Sequence, residues 1–84
     1  MQITKVQVFP VQEDAVKAYV TVTFEDCLVI RDLKIIEKKD RLFVSMPSRK
    51  RRDGSYRDTV HPINDELRSY LTQSILKAYY DEKR

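Results

Sequence analysis

Val16-Lys17-Ala18-Tyr19-Val20-Thr21-Val22-Thr23-Phe24 alternates apolar and polar side chains over nine residues. Successive side chains of a strand point to opposite faces, so this alternation predicts a half-buried strand with one face on a core. Val16, Ala18, Val20, Val22 and Phe24 form the inward set. Such a strand needs neighbours, and the flanking sequence supplies them. Residues 3–9 are rich in β-formers and stop at Pro10, which has no N–H for a ladder and marks a strand end or an edge. Gln12-Glu13-Asp14 makes a polar turn between the two. On the other side Glu25-Asp26 turns the chain into a third strand over residues 27–37. Its apolar residues change parity near Arg31-Asp32, which predicts a bulge or a bend. Lys38-Lys39-Asp40-Arg41 is a charged turn, and residues 42–46 form a fourth strand. Connections this short favour an antiparallel meander.

Residues 55–63 supply a fifth strand, predicted to pair back on residues 42–46 across the Asp53-Gly54 turn. Asn64 then offers a helix N-cap, with Asp65 and Glu66 in the first turn, where acids complement the helix dipole. Leu67, Tyr70, Leu71, Ser74, Ile75, Ala78 and Tyr79 follow at spacings of three and four and make one apolar stripe. Arg68, Gln73, Lys77 and Tyr80 lie mostly off it. Residues 81–84 read as a charged, frayed end. The fold class is therefore α+β: an N-terminal antiparallel β-sheet of about five strands (1–63), then a C-terminal amphipathic α-helix (64–81), in one domain over 1–84.

A chain of 84 residues buries a modest core, which makes a homodimer a reasonable expectation. The net charge is only +3, but its distribution is uneven. Residues 1–45 carry seven Lys/Arg against seven Asp/Glu, whereas residues 46–84 carry nine against six. The basic character belongs to one region, as in a binding face. The single cysteine, Cys27, allows no internal disulfide; with no signal peptide in view, a reducing, cytoplasmic setting is expected. No apolar run has the length of a membrane span.

The charge concentrates in residues 46–62. Arg49, Lys50, Arg51, Arg52 and Arg57 face two acids, Asp53 and Asp58, around the only glycine, Gly54, and between Pro47 and Pro62. Guanidinium groups bind phosphate oxygens in pairs, and a turn lets several converge on one backbone. A solvated loop would also carry such a run. Tyr56, set among the arginines, could stack on a base or pack on the sheet. His61 is the only histidine and, on a regular strand, would face away from Asp58; it reads as structural at the strand–helix junction. Cys27 reads as a small core residue, since Glu25 and Asp26 put negative charge beside it and no cation activates it. One Cys and one His make no zinc set, and one glycine makes no phosphate cradle. No enzyme, cofactor, metal or small-molecule substrate is expected.

The block Leu42-Phe43-Val44-Ser45-Met46-Pro47-Ser48-Arg49-Lys50, followed by Asp53-Gly54, Arg57-Asp58 and His61-Pro62-Ile63-Asn64, closely resembles the bacterial SpoVG family (stage V sporulation protein G, the septation regulator). Residues 18–24 and 29–36 also fit its pattern. The resemblance implies a small α+β dimer that binds DNA, and in some members RNA, and affects gene expression, sporulation or cell division. It also implies that the family's basic pair lies at Arg49 and Lys50. Arg51 and Arg52 stand where the family usually has uncharged residues, and two of its glycine-containing turns are replaced by Gln12-Glu13-Asp14 and Lys38-Lys39-Asp40-Arg41.

Two functions follow as expectations. In the first, the chain is a nucleic-acid-binding regulator, with Arg49, Lys50, Arg51, Arg52, Tyr56 and Arg57 contacting DNA or RNA. In the second, it is a protein-interaction module that adds a partner's strand to a sheet edge and holds an acidic segment on the basic loop.

Overall fold

The computed structural model describes residues 1–82. Four strands, β1 (Ile3–Pro10), β2 (Val16–Phe24), β3 (Leu28–Lys38) and β4 (Arg41–Ser45), form an antiparallel meander in the order β1-β2-β3-β4. A separate two-stranded sheet pairs β5 (Ser48–Lys50) with β6 (Tyr56–Asp58). The chain then enters helix α1 (Asp65–Glu82). The architecture is α+β.

The alternation in β2 resolves as expected. Ala18, Val20, Val22 and Phe24 are buried and face Leu33, Ile35, Leu71, Ile75 and Tyr79 in one core cluster. Val16 departs from the set. Its register against β3 slips between Val16 and Ala18, where Val16 pairs with Ile36 and Ala18 with Ile35. The parity change in β3 is a bulge: Val20 pairs with Leu33 but Val22 with Ile30, and Asp32 takes a left-handed φ of 67°. The extra residue keeps Ile30, Leu33 and Ile35 on the helix side of the sheet.

The helix lies across that side. Asn64 caps it, its Oδ1 accepting the Leu67 N–H at 2.8 Å. Tyr70 belongs to the stripe but is exposed, because its hydroxyl reaches over to accept the Ile3 N–H at 2.9 Å and ties the start of β1 to the helix. The charged end begins as helix through Asp81 and Glu82; residues 83–84 lie outside the described residues.

Two expectations are corrected. Cys27 is exposed rather than a core residue. It closes the β2–β3 turn by donating its N–H to the Phe24 carbonyl at 3.0 Å, and β3 starts one residue later. The fifth strand is shorter than residues 55–63 and does not pair with residues 42–46. Pro47 has no N–H to continue the ladder, so β4 ends and the chain leaves the sheet before β5 begins. β6 therefore pairs with β5 and stops at Asp58.

The turns without glycine keep the geometry that glycine usually serves. Glu25 and Asp26 both have φ of 53°, and Lys39 and Asp40 have 52° and 63°. Lys38 pairs with Arg41, so β3 and β4 join through two left-handed residues, the type I′ hairpin that Asn-Gly prefers. L-residues carry a steric penalty there, smaller for Asp than for Lys. Replacing Lys39→Asn together with Asp40→Gly should stabilise the fold by about 1 kcal/mol, raising Tm by roughly 4–8 °C in a domain of this size. An unchanged or lower Tm by calorimetry would show that the turn is not strained.

Candidate nucleic-acid interface

The β5–β6 hairpin stands off the main sheet and is built by local rules. Arg51 N–H donates to the Ser55 carbonyl at 2.7 Å, and Gly54 N–H to the Arg51 carbonyl at 3.1 Å. This leaves a three-residue tip, Arg52-Asp53-Gly54, with Gly54 at φ 90°, the position such loops reserve for a left-handed residue. Asp53 braces the tip: its Oδ1 accepts the Ser55 N–H at 2.9 Å and the Ser55 hydroxyl at 2.7 Å. At the base, the Pro47 carbonyl accepts both the Thr59 N–H, at 2.8 Å, and the Thr59 hydroxyl, at 3.2 Å. Pro47 and Pro62 are buried on either side of this closure.

The register decides how the cations are displayed. Arg49 pairs with Arg57 and Lys50 with Tyr56, so each pair shares a face of the hairpin. Like charges directly opposite each other destabilise a sheet. Among the described residues the one ion pair is Lys17–Glu37 at 3.6 Å, on the main sheet, so none of Arg49, Lys50, Arg51, Arg52 and Arg57 is held in an ion pair there. All five cations are exposed. The structure brings Arg49, Lys50, Arg51 and Arg57 together around one shallow depression with Asp58 and Thr59. Arg52 sits at the tip, outside it. Tyr56 is 70% exposed, which removes the alternative that it packs on the sheet.

A second depression adjoins the first and was not visible in the sequence. Tyr56, Arg57, Asp58, His61 and Arg68 line it. Because β6 ends at Asp58, strand parity no longer separates Asp58 from His61. The Pro62 carbonyl holds the other two in place: His61 Nδ1 lies 3.1 Å from it and Arg68 Nη2 donates to it at 3.4 Å. A carbonyl only accepts, so Nδ1 carries the proton and Nε2 is left as an acceptor in the neutral ring. A fixed turn after β6 and a position one helical turn past the cap were the only signals that could have marked Arg68.

Among the described residues no three His, Cys, Asp or Glu side chains gather into a metal site, and no helix is long and apolar enough to cross a membrane. A surface of clustered, unneutralised guanidinium groups can hold phosphate oxygens, and an exposed ring beside them can stack on a base.

The SpoVG family model matches residues 1–81. Relatives described as "Putative septation protein SpoVG" align with nearly the whole chain. The Bdellovibrio bacteriovorus protein is 51% identical over 98% of this chain and 76% of its own. The Anaeromyxobacter sp. (strain Fw109-5) protein is 49% identical over 100% of this chain and 87% of its own. The Myxococcus xanthus protein is 53% identical over 94% of this chain and 80% of its own.

The brace at the tip makes a direct prediction. The Ser55 hydroxyl, then the Ser55 N–H, hold the Asp53 carboxyl below its ordinary value. A lowered folded-state value means that the stabilisation is present above the ordinary carboxylate range and is lost as pH falls through the folded value. In Ser55→Ala the hydroxyl is gone and only backbone N–H groups remain, so the Asp53 midpoint should rise towards the ordinary value when its side-chain carboxyl carbon is titrated by NMR. An unchanged midpoint would remove the hydroxyl from the brace.

Proposed function

The chain belongs to the SpoVG family, and from that premise we propose that it is a nucleic-acid-binding regulatory protein that grips DNA or RNA phosphates with the β5–β6 hairpin as a homodimer. Its relatives' description as septation proteins supports a role in septation; the regulatory reading extends this to gene expression, sporulation or cell division in the cytoplasm. One observation supports the grip above the rest. Arg49 and Arg57 are paired across the hairpin at a cost to its stability, and neither is in an ion pair among the described residues. A phosphate between them would turn that repulsion into two charge-assisted contacts. Arg51 borders the same depression, and Arg52 extends the charge to the tip. Phosphate contacts of this kind supply affinity more than sequence preference.

The dimer rests on the main sheet. β4 is an edge strand, with no neighbour beyond it in the sheet order. The helix covers one face of the sheet, while Phe9 and Phe43 remain 51% and 48% exposed on the other. An open edge invites a second copy, and two copies present two hairpins to one nucleic acid. The same edge favours the alternative reading, a module that adds a partner's strand there and binds its acidic segment on the hairpin.

Replacing Arg49, Lys50, Arg51 and Arg52 with Ala should weaken binding to every DNA and RNA sequence tested. For a dimer that loses about eight phosphate contacts on duplex DNA, the log–log salt slope should become shallower by up to roughly 7 units. The fold should survive, because exposed cations contribute little to stability. Unchanged affinity and slope, with tight binding of an acidic peptide at matched salt, would hand the function to the interaction module. Light scattering at micromolar concentration should give about twice the chain mass; a monomer well above that concentration would end the dimer proposal.

A further inference from the structure

The second depression is built differently from the first. The first is lined mainly by cations. The second combines an exposed ring, a carboxylate, an imidazole acceptor and a guanidinium, from Tyr56, Asp58, His61 and Arg68, with Arg57 and Asp58 shared between the two. Asp58 is out of place in a surface that only holds phosphates. It is exposed, it is in no ion pair among the described residues, and its charge repels the ligand the neighbouring arginines attract. A carboxylate does have a use toward a base, because it accepts from an exocyclic amino group. Tyr56 and Asp58 are two residues apart on β6 and so share a face of the hairpin, with Lys50 opposite Tyr56.

We propose that this depression holds one unpaired base, stacked on Tyr56 and read by Asp58 through its amino group, while Arg57 holds the adjoining phosphate. The inference rests on the hairpin being the phosphate grip. It adds that the partner is single-stranded, or opened at that nucleotide, because a base inside a duplex cannot present its face to the ring. It also assigns a preference. Cytosine offers its N4 amino group to the Asp58 carboxylate, whereas uracil puts a carbonyl oxygen at the same position and is repelled. Arg68 and His61 line the same depression, both held by the Pro62 carbonyl.

The test uses the full chain and labelled twelve-nucleotide strands at pH 7.5 and fixed salt: oligocytidine and oligouridine as RNA and as DNA, and a mixed-sequence strand alone and as a duplex. The wild-type protein should bind the mixed strand more tightly than its duplex, and cytosine several-fold more tightly than uracil. Tyr56→Ala should weaken single-strand binding roughly ten-fold, weaken duplex binding far less, and keep the melting temperature, while Tyr56→Phe retains binding. Asp58→Asn should abolish or reverse the cytosine preference, because the amide can donate to the uracil oxygen. If wild-type protein binds duplex and single strand alike and Tyr56→Ala weakens neither selectively, the base site is wrong and the phosphate grip stands. If wild-type protein binds neither, the grip itself is wrong and the base site falls with it.

Discussion

Pro47 is the constraint on which the arrangement of this protein depends. A residue without an N–H cannot extend the β4 ladder, so the chain must leave the main sheet there. Its carbonyl then takes both donors of Thr59, which brings the chain back to its point of departure. Everything between the two residues is a hairpin anchored at its base and free at its tip. The core cluster lies wholly outside it. Charge can therefore accumulate on the hairpin without being weighed against the packing of Val20, Leu33, Ile35 and Ile75.

This separation accounts for the unusual electrostatics. A pair such as Arg49 and Arg57 inside the meander would compete with every neighbouring contact. On the hairpin it acts against only a few backbone hydrogen bonds, and the tip compensates through Gly54 and the Asp53–Ser55 brace. The main sheet shows the opposite economy: its one ion pair among the described residues, Lys17–Glu37, is solvent-exposed and adds little. Stability comes from the covered face of the sheet and the stripe of α1, and the chemistry is carried elsewhere.

Much of this was legible because it follows short-range rules. The alternation from Ala18 to Phe24, the bulge at Asp32 and the Asn64 cap each depend on a few adjacent residues, and each was read in place. The basic hairpin was legible as charge. Its pairing partner was not, because the turn at Asp53-Gly54 specifies a hairpin without saying how far the strands run, and the break at Pro47 decides where they start. Cys27 was misplaced by one register step at a turn, where residue type says little about direction. His61 and Arg68 meet through one backbone carbonyl, a contact that no spacing in the sequence encodes.

The bond between Tyr70 and Ile3 joins residues 67 positions apart, whereas each strand of the meander pairs with the strand just before it. Strand pairing can therefore proceed step by step as the chain is synthesised. The cover for the sheet cannot, because α1 follows all six strands. Until residues 65–82 have emerged, Val20, Val22, Leu33 and Ile35 form an apolar surface with nothing upon it. That interval is when the nascent chain is most exposed to aggregation, and its length is set by the rate of translation rather than by the speed of folding.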